Sequence, residues 1–296
     1  MSLSIPPLRY CARILDNRSL GGALFHLVLG VPPIATLAQP GHFLQLDCHP
    51  SLTLPRPFSI MGVDGDKGTV DIFYQVVGAG TAYMSRWQPG QEAWVLGPLG
   101  SCFTMPPHGV PALLVAGGVG LAPLRFLAHG LRRAGVQVTL LWGLEAQTIP
   151  FATVPALLGV AGEPVPAPLA LQMEEEAGIA TRLASMSQRD GFYHGLVSDL
   201  LEKVIAAGGG NPHLYVCGPT AMMAAVQSVA KTWGLQGEVS LESHMACGFG
   251  GCAGCVVPVA TPDVGVGAWH YVKCCTEGPV LPLGQVLWNP SGAQQQ

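Results

Sequence analysis

Charge is scarce in this 296-residue chain: Lys, Arg, Asp and Glu together make up 11% of it, against about 25% in an ordinary soluble domain. Much of the surface is therefore neutral, and part of it is open to burial by a partner subunit. The net charge of −4 leaves no basic patch to suggest nucleic acid. An apolar membrane span is also lacking. Residues 93–124 carry no Asp, Glu, Lys or Arg, but Gly97, Pro98, Gly100, Pro106, Pro107, Gly109 and Pro111 interrupt them before a 20-residue apolar helix can form. Met1–Tyr10 holds two prolines and has no charged start leading into an apolar run, so no signal peptide is read there. No internal repeat is visible. The length suggests about two domains.

What the chain does have is cysteine in one place. Cys247, Cys252 and Cys255 stand in a glycine-rich loop, and Cys274 and Cys275 follow as an adjacent pair. This is the C-x4-C-x2-C…C spacing of a plant-type [2Fe–2S] cluster. Three thiolates from one short loop must converge on one face of a small cluster, with main-chain N–H groups turned towards the sulfurs. Gly248, Gly250, Gly251 and Gly254 allow so tight a wrap, because glycine reaches positive φ without a Cβ clash. Zinc sites more often pair two C-x2-C knuckles, and only half of this loop has that form. The fourth ligand is Cys274 or Cys275. Nine cysteines, four or five of them assigned to a cluster, fit a reducing compartment better than a disulfide framework.

In chain order, short strands come first. Arg9–Asp16, Ala23–Leu29, Gly41–Leu46, Val70–Val77 and Gln91–Leu96 read as strands, with Asn17–Gly22 a turn. Two prolines hold Leu54–Ile60 extended with Arg56 fixed between them. A short helix is expected over Thr81–Trp87. Such a run predicts a small antiparallel barrel over 1–105. The pattern then changes to strand and helix in alternation, which predicts a parallel sheet. The expected strands are Ala112–Ala116, Val136–Trp142, Leu169–Met173 and His213–Cys217. The helices are Leu121–Arg133, Gly195–Ala207 and one from Thr220 to Trp233. Gly117, Gly118, Val119 and Gly120 lie between strand and helix, where a helix N-terminus can hold a pyrophosphate. The expected fold is thus multi-domain: a barrel at 1–105, an α/β parallel-sheet domain at 106–238, a small cysteine module at 239–283 and a tail at 284–296. In the module, Val256–Val259 and Tyr271–Val272 read as strands around a turn marked by Pro258, Pro262, Gly265 and Gly267.

Together these motifs resemble the ferredoxin–NADP reductase superfamily. Arg56, Pro57, Phe58 and Ser59 look like its flavin-binding strand, with Arg at the diphosphate and Ser near the isoalloxazine. Phe73, Tyr74 and Gln75, with Gly80 and Thr81, look like further FAD contacts. Gly117–Gly120 looks like the nicotinamide dinucleotide turn, and Cys217, Gly218 and Pro219 like the turn beside the nicotinamide. The segments Glu242–Gly248, Cys252–Cys255 and Cys275–Val280 resemble, within that superfamily, the electron-transfer subunits of NAD-dependent, two-subunit dihydroorotate dehydrogenase. That likeness spans about residues 8–283 and implies Cys247, Cys252, Cys255 and Cys275 as ligands, with Cys274 a bystander. Two departures stand out. Gln75 replaces an Arg common in the family, and Glu174, Glu175 and Glu176 stand where a Thr-Asp-Asp-Gly-Ser-like segment is usual. An acid there would favour NAD over NADP by accepting from the ribose 2′-OH, or the three form a solvated face.

The resemblance implies a relay. An FMN-containing catalytic partner, in a heterotetramer of two of each subunit, would oxidise dihydroorotate in pyrimidine biosynthesis. Electrons would pass through [2Fe–2S] and FAD to NAD+, in the cytoplasm, with no catalytic acid or base needed from this chain. The rivals are a reductase subunit of a sulfide dehydrogenase, hydrogenase or sulfite reductase, and a zinc-bound scaffold without enzymatic function.

Overall fold

The computed structural model describes residues 8–145, 148–261 and 267–288. The turn positions Pro262 and Gly265 and most of the expected tail lie outside them. The first 100 residues supply β1 (Leu8–Gly21), β2 (Leu24–Gly30), α1 (Pro32–Leu37), β3 (Phe43–Leu46), β4 (Arg56–Asp64), β5 (Thr69–Gln75), α2 (Ala79–Met84) and β6 (Glu92–Leu99). The six strands close into an antiparallel barrel in the order β1-β2-β5-β4-β3-β6. Alternation along each strand fills it: Leu44 and Leu46 of β3 join Ile14, Leu27, Leu29, Ile60, Val70, Ile72 and Val95 inside. The intervening β3 residues, Phe43 and Gln45, are also buried but face outwards.

β1 runs straight through the stretch expected as a turn. Its register against β2 shifts between Ile14 and Asp16 and between Ser19 and Gly21, and these irregularities absorb the polar residues. Asn17 is tied down by donating to the carbonyls of Met84 and Trp87. The turn itself shrinks to Gly22 and Ala23. Pro32 and Pro33 open α1, where a missing N–H costs nothing.

The second part contains β7 (Ala112–Gly117), α3 (Leu121–Arg133), β8 (Val138–Gly143), β9 (Thr153–Pro155), β10 (Leu169–Leu171), α4 (Gln172–Glu176), β11 (Ala180–Ser185), β12 (Tyr193–His194), α5 (Val197–Ala206), β13 (His213–Cys217), α6 (Thr220–Trp233) and β14 (Gly237–Ser240). After these come β15 (Val256–Ala260), β16 (Trp269–Lys273) and β17 (Val280–Pro282). The main sheet runs β12-β11-β8-β7-β13-β14-β17. Its central strands are parallel and β17 is antiparallel to β14. Leu114 and Ala116 of β7 face α3, while Leu113 and Val115 face α5 and α6.

One expected strand is displaced. Leu169–Leu171 pairs with β9 in a separate two-stranded sheet. The third parallel strand is Ala180–Ser185, beside β8. All six of its residues are buried although three are polar. Thr181 accepts the N–H of Leu171 at 2.8 Å. Arg182 pairs with Glu163 and donates to the Leu158 carbonyl at 2.9 Å. A buried strand with satisfied polar groups shows no hydrophobic run.

Candidate flavin, dinucleotide and cluster site

Taken in sequence, the parallel strands β7, β8, β11, β13 and β14 give the spatial order 3-2-1-4-5. In such a sheet ligands settle at the carboxyl ends where the order reverses, here between β7 and β13. The turns that leave these two strands meet backbone to backbone. A Cβ on Gly120 would stand 2.4 Å from the Cys217 carbonyl oxygen, and one on Gly218 would stand 2.9 Å from the Gly117 Cα. Trp142 donates to the Gly118 carbonyl at 2.9 Å and fixes the turn from below. Gly117, Gly118, Gly120, Cys217, Gly218 and Pro219 are thus brought together. Burial pushes the Cys217 thiol well above its usual range, and the Glu242 carboxylate adds to this.

Beside this crevice is a cavity of about 440 Å3. Arg56, Pro57, Phe58 and Ser59 from β4, Phe73, Tyr74 and Gln75 from β5, and Gly80 and Thr81 from α2 all line it, and Val119 joins it to the dinucleotide turn. Arg56 Nη1 donates to the carbonyls of Leu54 at 2.7 Å and Pro55 at 3.2 Å, which holds its guanidinium at the wall. Thr81 Oγ1 accepts the N–H of Val77 at 3.0 Å and of Gly78 at 3.3 Å. A Cβ on Gly80 would touch Arg56 Cγ at 3.3 Å and Cys48 Sγ at 3.4 Å, so glycine leaves room for Arg56. Tyr74 is edge-on to Phe58, and its hydroxyl donates to Asn17 Oδ1 at 3.1 Å. A cation, a narrow turn and an aromatic wall fit the diphosphate and ring system of FAD. Phe43, Glu242, Ser243, Met245 and Pro279 also line the cavity; the last four belong to the family segments around the cysteines, which carried no sign of a flavin contact, and Phe43 has no motif. Glu242 is exposed at the mouth, yet burial of its carboxyl among the walls raises its pKa.

The five C-terminal thiols lie close together, Cys274 within reach of Cys255 and Cys275. Cys247 and Cys252 lie near enough to act on each other's thiols, and so do Cys255 and Cys275, with Cys247 also acting on Cys275. Burial pushes the Cys247 thiol up, but the N–H groups of Phe249, Cys252 and Gly251 and the Cys252 thiol outweigh it, bringing it to about 7. Gly254 N–H points at Cys252 Sγ at 3.4 Å, and Gly250 N–H at Cys275. Cys274 is fully buried and faces the Leu241 carbonyl at 3.9 Å. Burial, then the neighbouring thiols, raise it to about 12. Among the described residues no three His, Cys, Asp or Glu side chains close on one point as a single metal ion needs. Two thiol pairs ringed by N–H donors suit a two-iron cluster, which takes two thiolates at each end.

The cluster loop and the flavin cavity share a wall. Phe43 lines the cavity and belongs to the same packed core as Cys255, Cys274 and Cys275. The three glutamates proposed for the ribose are committed elsewhere. Glu174, with no exposed surface, binds Arg125 and His129. Glu175 accepts the N–H groups of Leu157 and Leu158, each at 2.6 Å. Glu176 accepts from Gln172 at 2.8 Å. The carboxylate at the carboxyl end of the second parallel strand is Glu145, held by Met186 N–H at 2.7 Å and Ser185 Oγ at 3.3 Å. No helix among the described residues is long and apolar enough to cross a membrane.

Residues 242–287 match the family model for the iron-sulfur cluster binding domain of dihydroorotate dehydrogenase B. The chain is 33% identical to the dihydroorotate dehydrogenase B (NAD+) electron transfer subunit of Desulforamulus reducens, over 94% of this chain and 98% of that one. It is 34% identical to the same subunit from Shouchella clausii, over 89% and 92%. The structure of an NADH-dependent reduced ferredoxin-NADP oxidoreductase superposes with a TM-score of 0.78 at 24% identity, covering 94% of this chain and 90% of that one, which is a likeness of fold.

Proposed function

The chain belongs to the family of dihydroorotate dehydrogenase B electron transfer subunits, and on that footing we propose that it passes electrons from a dihydroorotate-oxidising partner subunit through a [2Fe–2S] cluster and FAD to NAD+. What carries this is the shared wall: Glu242, Ser243, Met245 and Pro279, from the segment that bears the cysteines, line the flavin-sized cavity together with Phe43. A flavin, when bound, exchanges single electrons with a cluster and a hydride with nicotinamide. The chain's own residues bind and orient. Arg56 supplies the cation for a diphosphate, and the Gly117–Gly120 turn with Cys217–Pro219 forms the crevice for the dinucleotide. Cys247, Cys252, Cys255 and Cys275 hold the iron. Glu145 is placed to receive a ribose 2′-OH.

The division into a flavin barrel at 1–105, a dinucleotide domain at 106–238 and a cluster module at 239–283 is part of the proposal. So are an FMN-containing partner, two copies of each subunit and a cytoplasmic location. Relatives that serve dihydroorotate over nearly the whole chain favour that substrate over sulfide, hydrogen or sulfite. A zinc scaffold leaves the flavin cavity without purpose.

The test is an anaerobic absorption spectrum with metal and flavin analysis, followed by mixing with the FMN subunit. Two irons, two acid-labile sulfides and one FAD per chain are expected, with NADH formed only when dihydroorotate is supplied. Zinc without iron, or folded protein without flavin, would refute the relay.

A further inference from the structure

Gln45 has no partner for its amide. It is 1% exposed, and neither Oε1 nor Nε2 makes a hydrogen bond. A buried polar group left unpaired is destabilising. Among the described residues it is the one side chain with two such atoms. Its place is equally particular. It stands on the outer face of β3, opposite Pro57 of the flavin-lining strand, and shares a cleft with Ala246, Cys247 and Phe249. The cluster loop presses on it. A Cβ on Gly248 would lie 2.7 Å from Gln45 Cγ and 2.9 Å from Nε2, and Gly248 takes a φ of +77° to pass over it. The barrel thus sends one polar side chain under the first ligand of the loop and leaves it unsatisfied there.

We propose that Gln45 is a positioning residue whose Nε2–H donates to a sulfur at the Cys247 corner of the [2Fe–2S] cluster and thereby sets its potential. This rests on the cluster assignment above and extends it to a residue two hundred positions away in sequence. Hydrogen bonds to sulfur tune iron–sulfur potentials, and groups behind the ligands orient them. The sign follows from charge. Reduction adds an electron to an already anionic centre, an N–H dipole stabilises that form, and the potential rises. Because Gln45 lies on the flavin side, its N–H favours holding the electron where the flavin can accept it.

The test uses the intact flavin-loaded complex. In Gln45→Met, of similar length and without the N–H, the cluster midpoint shifts to a more negative value in an EPR-monitored redox titration. The flavin midpoint stays unchanged. A Gln45 that merely fills space would leave the cluster midpoint at its wild-type value, and that result overturns the proposal. A second measurement needs no variant. Protein labelled with 15N in glutamine side-chain amides should show a 15N coupling to the reduced cluster by pulsed EPR, and its absence overturns the proposal even if Gln45→Met assembles no cluster. Wild-type protein without iron would instead defeat the assignment of the site itself.

Discussion

The Cys217 carbonyl oxygen lies 2.4 Å from where a Cβ on Gly120 would stand, so the two turns of the dinucleotide crevice touch through their main chains. Gly120 has ordinary helical dihedrals, so only space forbids a side chain. Gly120→Ala should therefore destabilise the fold by about 1–3 kcal/mol, the usual cost of overpacking. It should also weaken NAD+ binding, since the turns must part. Thermal melts and nucleotide titration check both. An unchanged affinity with an unchanged melting point would show that the turns separate freely.

Cys275→Ser should abolish the cluster absorption, and Cys274→Ser should leave it at full strength. Iron and sulfide content decides the case. The reverse result would move the ligand by one residue.

Arg56→Ala should release FAD during purification while iron content stays at two per chain. The guanidinium is held by carbonyls of its own segment, so its loss should barely disturb the barrel. Full flavin occupancy in the variant would show that another group binds the diphosphate.

Glu174→Gln should cost about 3–5 kcal/mol, because it strands the Arg125 charge in the interior. The pH dependence has a definite sign. Burial raises the Glu174 pKa, but His129 and Arg125 outweigh it and hold the carboxyl below 4.5. Its stabilising effect is complete above pH 4.5 and is lost as pH falls through the lowered value. The gap in unfolding free energy between wild type and Glu174→Gln should narrow as pH falls below 4.5.

Glu145→Ser should raise turnover with NADP+ relative to NAD+, since a carboxylate repels a 2′-phosphate. Glu176→Gln, whose carboxylate accepts from Gln172 within α4, should leave that ratio unchanged. Equal ratios in both variants would remove Glu145 from the ribose site.

Much of this was legible because it is local. The cluster loop is set by cysteine spacing, and the α3 start by a glycine run between an apolar strand and an apolar helix. The third parallel strand escaped notice because Thr181, Arg182 and Ser185 break its apolar run, and their partners Leu171, Glu163 and Leu158 lie elsewhere in the chain. The sequence pattern sets Glu174–Glu176 after the third strand, whereas in the fold they precede it. Gln45 sits in a strand that reads as ordinary barrel. Only the cluster loop folded over it distinguishes it, and no periodicity encodes a contact between residues so far apart.

The cysteine loop leaves the main sheet after β14 and returns to it as β17, whose residues pair back onto the strand that launched it, Ser240 against Val280 and Glu238 against Pro282. Gln227 of α6 then grips the carbonyls of Leu283 and Val286. Both ends of the iron-bearing segment are thereby anchored in one rigid layer. Such a carrier cannot swing between donor and acceptor on a tether. Its distances are built in, like fixed wiring, and the partner must come to it with its own redox centre already at tunnelling range.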